Sequence, residues 1–483
     1  MKVSTPWRAL FFYIYFQPIS GFTFFGLTVA LPLMAREFGV DGTTIAWVPL
    51  AYGLGLAGSA FITSTLTNYV PLRTLILAGL VGDLVLMTLM VVIDNIHVFL
   101  FLRFLQGLVR MWPWLPLQVM SIGAMPKERR GRMLGITALV QGIGLMVGVP
   151  LGGIVTDLFG WRWVIVSVIV LLAPLVVLVR LLLPPSPPKP APAGTRRAFD
   201  FAGSLLIMAG VALTLTGLQF VSKGTQPALG AALLVTGVAL LGCFVWWELR
   251  VEQPVLELRI FKIRPVVTGA GMAVWTRFAD GAVLLLLPFL FQQGFGWSVA
   301  YAGGIMFFLS AARPPAGPIG GWLADRLGNN QVQVPSAIGV MVALAIIGFV
   351  ALPPNMTLIV AALLLIGICQ STMLTANQRQ LFNGVPQEYV HAEPNITLVS
   401  GQIGNSAGQA LGSIAPAVGA GAAVATGGTD AALVQSFGRA MLALAVVYGV
   451  GTALSYLVPR WLIRAPAPSD DAEPVAPETA RAR

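Results

Sequence analysis

Charged residues are scarce in this sequence. Asp, Glu, Lys and Arg together make up 10% of its 483 residues, where a soluble domain carries roughly 25%. An ordinary water-facing surface is thereby excluded, and the 57% hydrophobic content belongs in lipid. Cysteine is nearly absent. Cys243 and Cys369 both fall inside apolar runs, which excludes a disulfide framework and makes both expected to be small buried hydrophobes. Two histidines, His97 and His391, exclude a histidine metal cluster, and no metal or cofactor is expected. So few histidines and such short loops also leave a membrane enzyme without a convergent nucleophile–base or carboxylate–metal set. Strand-like alternation is missing as well, which excludes a transmembrane barrel.

What the chain has in quantity is continuous apolar sequence. About fourteen runs approach the ~20 residues needed to cross a bilayer: near 10–34, 44–66, 73–93, 97–123, 132–156, 162–183, 200–221, 227–247, 266–292, 300–323, 333–352, 356–378, 395–423 and 434–458. The first is too long for a removable signal peptide and lacks a small-residue cleavage site. The net charge of +10 does not point to nucleic acid, because the basic residues gather in alternate loops. Lys127, Arg129, Arg130, Arg196, Arg197, Arg250, Arg259, Lys262 and Arg264 all lie in even-numbered loops. By the positive-inside rule both termini are cytoplasmic, and the protein belongs in the cytoplasmic (inner) membrane as a multi-pass chain.

The runs divide six, two, six. Residues 1–183 form a first bundle, followed by a Pro-rich cytoplasmic linker at 184–199 and two additional helices over 200–247. A second linker at 248–265 leads to a bundle over 266–460, and the polar tail 461–483 is expected to be disordered. Trp161 and Trp163 suit anchors at the membrane interface.

Residues 320–328 read Gly-Gly-Trp-Leu-Ala-Asp-Arg-Leu-Gly. Asp325 and Arg326 stand where a helix would leave the lipid, able to pair with each other and with the last helical carbonyls, and Gly328 supplies a tight turn. The elbow, with Gly321 at its head, resembles the Gly…Asp-Arg-x-Gly loop of the major facilitator superfamily. In that family the loop joins the second and third helices of each six-helix half. The first half carries a damaged counterpart in 66–73, with Asn68 in the acid's place, Pro71 in the glycine's, and Arg73 retained. Asn68 precedes Gly144 by nearly the interval that separates Asp325 from Gly404, as two parallel halves would require.

Gly144, Gly148 and Gly152 repeat every four residues in the fifth run and permit close helix contact. With Pro150 and Gly153 they resemble the Gly-Pro-x-x-Gly-Gly ending of the superfamily's exporters, the proline lying one position late. Arg103-Phe-Leu-Gln106-Gly107 in the fourth run resembles the Arg-x-x-Gln-Gly motif of its drug:proton antiporters, where the arginine is taken to couple protons. Arg103, Gln106 and Arg110 share a helical face that extends to Trp114. An arginine in lipid costs ~2.5–3.5 kcal/mol, so each should face a cavity or a partner. Arg110 lies outside the motif. It lies near the helix end, pairs with an acid, or offers an anionic substrate a cationic contact, with Trp112 and Trp114 as stacking walls.

The remaining charges in the runs are few. Arg277 and Asp280 lie one turn apart and can pair, Arg313 interrupts the tenth run, and Asp83 is a lone acid in the third. A proton-coupled carrier needs an acid that alternates between two accesses; Asp280 is the first candidate and Asp83 the second. The family's first-helix aspartate is replaced here by Thr23, which makes lipophilic cations poor substrates. Further pieces resemble the fourteen-span EmrB/QacA branch: Ala46-Trp47-Val48, Trp161-Arg162-Trp163, Phe199-Asp200-Phe201-Ala202-Gly203, Glu252-Gln253-Pro254 and Val385-Pro386. The resemblance implies proton-driven export of small amphipathic compounds by alternating access, the partners being substrate, protons and the lipid bilayer. A proton-coupled importer or facilitator with the same fold stays open, as does a periplasmic adaptor protein.

Overall fold

The computed structural model describes residues 5–123, 130–183, 200–223, 226–251, 261–350, 354–384, 396–397, 400–401, 403–412 and 430–462. The linker at 184–199, half of that at 248–265, the tail beyond 462 and part of the thirteenth run lie outside them.

The apolar runs become helices because a backbone in lipid must satisfy its own hydrogen bonds, and no strand occurs among the described residues. The first half comprises α1 (Thr5–Phe38), α2 (Trp47–Tyr69), α3 (Leu72–Val92), α4 (Ile96–Gly123), α5 (Arg130–Phe159) and α6 (Trp161–Leu182). The additional pair is α7 (Phe201–Lys223) and α8 (Pro227–Glu248). The second half comprises α9 (Arg264–Phe289), α10 (Val299–Ala311), α11 (Arg313–Leu327), α12 (Asn329–Val350), α13 (Met356–Gly384), a helical stretch at 403–412, and α14 (Asp430–Leu462). Among the described residues, nine helical segments are long and apolar enough to cross a membrane.

The tenth run, expected as one helix, is two. Pro314 and Pro315 remove two consecutive backbone donors, and the helix breaks at Ala312 between α10 and α11. Cys243 also departs from expectation. It is exposed on α8, whereas Cys369 is buried.

Glycine fixes how the helices approach. A Cβ on Gly152 would lie 2.2 Å from the Gly26 Cα, and one on Gly148 would lie 2.9 Å from that of Phe22. The α5 stripe therefore seats directly on α1. Gly404 and Gly408 seat on Val274 and Phe278 of α9 in the same way. A Gly107 Cβ would meet the Tyr52 carbonyl at 2.1 Å, and a Gly367 Cβ would meet that of Leu309 at 2.4 Å, so α4 on α2 is matched by α13 on α10. Gly152→Val should accordingly lose about 1–3 kcal/mol or more by overpacking. Gly242→Ala should be neutral, since nothing lies within 4 Å of its Cβ position. Thermal unfolding of the two purified variants checks the contrast.

The halves meet chiefly at one end. Gln292, just past α9, donates to the Val29 carbonyl toward the end of α1 at 2.7 Å. Gly153 lies against the Val299 carbonyl and the Gly303 Cα, and Leu50 and Leu54 pack with Ala410. Farther along α5, Gly142 meets Pro314. The α7–α8 pair touches both halves: Val211 joins the Leu50 group, while Ile207 and Phe244 cluster with Val266, Ala270 and Leu381.

Candidate functional site

Each half buries one carboxylate among arginines. In the first half Asp83 on α3 is fully buried, as are Arg103, Gln106 and Arg110 on α4, none more than 1% exposed. Arg110 Nη1 pairs directly with Asp83 Oδ2. Gln106 donates to Asp83 Oδ1 at 2.9 Å and accepts from Arg103 at 2.6 Å. The i, i+3, i+7 spacing read in the sequence thus converges on one acid from the neighbouring helix. Arg110 Nε donates to the Ser20 hydroxyl on α1 at 3.0 Å. The Arg110 guanidinium carbon lies 4.6 Å from the centre of the Phe16 ring, and that of Arg103 lies 5.2 Å from the Tyr52 ring.

Of the environments open to Arg110, the described side chains supply the acid. The tryptophans expected as its walls have other recorded neighbours. The Trp112 Cβ lies against Gly79 of α3, and Trp114 packs on the main apolar core. The ring over Arg110 is Phe16.

In the second half Asp280 on α9, 5% exposed, is held from two sides. Arg313 Nη2 pairs with Oδ1 at 2.6 Å, and Arg277 Nη1 with Oδ2 at 3.3 Å. The Arg313 side chain is 13% exposed and that of Arg277 is 40% exposed. The Arg313 contact is therefore the stronger, since exposure screens the other. Arg313 stands at the α10–α11 break, where its Nη2 also reaches the Gln370 Oε1 of α13 at 2.5 Å and its carbonyl accepts from Ser371 at 2.8 Å. Sequence reasoning placed Arg277 with Asp280 but missed Arg313 as the closer partner and Gln370 altogether. A signal was available. Gln370 follows Gly367 as Arg110 follows Gly107.

At the elbow the expected neighbours part. Asp325 pairs with Arg379 of α13 at 2.7 Å, and Arg326 instead lies 4.3 Å from the centre of the Trp322 ring. Arg379 also donates to the Ala324 carbonyl and to Asn329, both at 2.9 Å, so it ties the α11 exit to α12 and α13. Gly328 adopts φ 92° as the helix stop, and Gly321 lies against Thr375. In the first-half elbow Arg73 donates to the Arg180 carbonyl at 2.6 Å; the Asn68 side chain lies outside the described residues. Asp325→Ala should loosen this elbow by ~0.2–1 kcal/mol at most, since its carboxylate is largely exposed; thermal unfolding at low and high salt checks it.

Among the described residues no group of His, Cys, Asp and Glu is placed to hold a metal ion.

Comparison with known proteins agrees with this architecture. The family model of the Major Facilitator Superfamily matches residues 17–416. The riboflavin transporter RibZ of Clostridioides difficile (strain 630) is 26% identical over 364 residues, 75% of this chain and 77% of that protein. The multidrug resistance protein Stp of Mycobacterium tuberculosis (strain CDC 1551 / Oshkosh) is 26% identical over 391 residues, 80% of this chain and 72% of its own. A crystal structure of a bacterial homolog to the human lysosomal transporter Spinster, inward-facing and unoccupied, superposes with a TM-score of 0.67. It covers 96% of this chain and 100% of its own at 14% identity, a likeness of fold alone. The chain belongs to the major facilitator superfamily, as a multi-pass membrane transporter and not an enzyme.

Proposed function

We propose that this transporter exports small amphipathic compounds across the cytoplasmic membrane by proton antiport, favouring cargo with an acidic group. It does so as a fourteen-span member of the EmrB/QacA type with both termini cytoplasmic. The observation that carries the reading is Asp280, a buried carboxylate held by Arg313 at a helix break and by the half-exposed Arg277. Protonation removes the charge that both guanidinium groups face. Arg313 then loses its anchor at the α10–α11 junction, where Pro314 bears on Gly142 of the other half. A change at one carboxylate thereby reaches the contact between the bundles, as rocking about a midplane site requires. Arg277, released by the same proton, offers the acidic group of the cargo a cation. The first-half set of Arg103, Gln106, Arg110 and Asp83 supports the cavity wall from behind Ser20, with Trp112 and Trp114 holding α4 in place. Asp325 and Arg379, with Arg326 and Arg73, latch one state, while the Gly144–Gly153 stretch and Pro150 supply the sealed seam.

Multidrug resistance relatives support export. The riboflavin transporter relative favours a second reading, a proton-coupled importer or facilitator of a small organic solute. Inside-out vesicles separate the two. Export predicts that an acidic amphipathic probe accumulates when a proton gradient, acid inside, is imposed and is lost on its collapse. Accumulation only in right-side-out vesicles would assign import, and no gradient dependence in either would remove proton coupling. An adaptor protein would extend export across a second membrane, and co-purification from native membranes tests that addition.

A further inference from the structure

The first-half network is not electrically closed. Two guanidinium groups, Arg103 and Arg110, face one carboxylate, Asp83, and none is more than 1% exposed. Among the described residues, Asp83 is the one acid buried in α1–α6. Both its oxygens are already engaged, by Arg110 and by Gln106. Arginine stays protonated in proteins, so this set carries one positive charge that no side chain among the described residues balances. The faces of Phe16 and Tyr52 offset part of that charge, and the Tyr52 hydroxyl, hydrogen-bonded with Arg110, adds a polar contact without a counter-charge. Two buried donors, Arg103 Nε and Arg110 Nη2, have no hydrogen-bond partner among the described residues. A buried cation with unpaired donors is stable only when an anion or equivalent acceptor reaches it.

We propose that this network is a binding site for one small monovalent anion, either a free halide or the carboxylate of an amphipathic acid. It receives Arg110 Nη2, on the residue bonded to Ser20 of α1, and Arg103 Nε, on the residue beside the Tyr52 ring of α2. The partly buried Ser20, bonded to Arg110 Nε, marks the way in from the α1 face. The assignment differs from the Asp280 set, where Arg277 is already open to solvent and where protonation is the proposed event. It holds whether the chain exports, imports or is uncoupled, because it concerns binding alone.

Thermal unfolding of the purified full-length transporter tests it. Sodium chloride and sodium benzoate are titrated separately against sodium gluconate at constant ionic strength. A saturable rise in the midpoint of about 2 °C or more with either salt is expected. Chloride activity would identify a free halide as the occupant, and benzoate activity alone a cargo-type carboxylate. Arg103→Gln makes the set neutral and should abolish the rise, while Arg250→Gln, at an exposed arginine in neither buried set, should keep it. Asp83→Asn adds to the unbalanced charge and should enlarge the rise. No rise for the wild-type protein with either salt would overturn the site without recourse to any variant. An undiminished rise in Arg103→Gln would also overturn it.

Discussion

Asp280→Asn is expected to lower pH-gradient-driven accumulation roughly ten- to a hundredfold, the range of an ordinary coupling free energy, while downhill exchange of the same cargo survives. Asparagine keeps the size of the side chain and an oxygen for Arg313, now 2.6 Å from the carboxylate, but it cannot take up or release a proton. It therefore resembles the protonated state permanently. The sign follows from the pairing. Proton entry at Asp280 must weaken its contacts with both Arg313 and Arg277 at once. Arg313→Gln should act in the same sense on access, freeing the α10–α11 junction without adding a proton, and should raise proton-independent leak. Proteoliposome flux with and without a gradient separates these outcomes. Full gradient-driven accumulation by Asp280→Asn would move the proton to Asp83, a second acid buried within a membrane helix.

How far the sequence alone reaches differs between fold and site. Helix positions follow from apolar runs because lipid admits little else, and the helices fall on the segments read from hydropathy. The α10–α11 break was missed because average hydropathy across 300–323 stays high. Only the Pro314–Pro315 pair betrays the lost donors. The glycine stripe was legible as a contact, though spacing alone could not say that Gly152 faces α1 whereas Gly153 faces α10 in the other half. Charge partners were harder. Arg103, Gln106 and Arg110 share a face by periodicity, but their common acid comes from α3, twenty residues or more away, and only packing joins them. Arg326 stands next to Asp325, yet adjacent side chains on a helix point about 100° apart. Asp325 therefore reaches across to Arg379. One-dimensional neighbours suggested the wrong elbow pair for that geometric reason.

Asp83→Leu should be the most destabilising single change in the first half, at about 3–5 kcal/mol, and distinctly worse than Arg110→Met. The two substitutions break the same ion pair but leave different remnants. Without Asp83, two buried guanidinium groups face each other's charge across α4, with Gln106 losing its acceptor as well. Without Arg110, Asp83 keeps Gln106, and Arg103 lies one hydrogen bond beyond it, so a compensating charge persists nearby. Arg110→Met should then cost about 1–3 kcal/mol, the scale of leaving one buried polar group short of a partner. If Arg110 instead served chiefly as the cationic contact for cargo, its loss would spare the fold and selectively remove flux of acidic compounds. Unfolding midpoints in detergent, read beside flux of an acidic and a neutral probe, distinguish the two roles. Equal or greater destabilisation by Arg110→Met than by Asp83→Leu would mean that the excess charge of this network lies elsewhere than on Arg103 and Arg110.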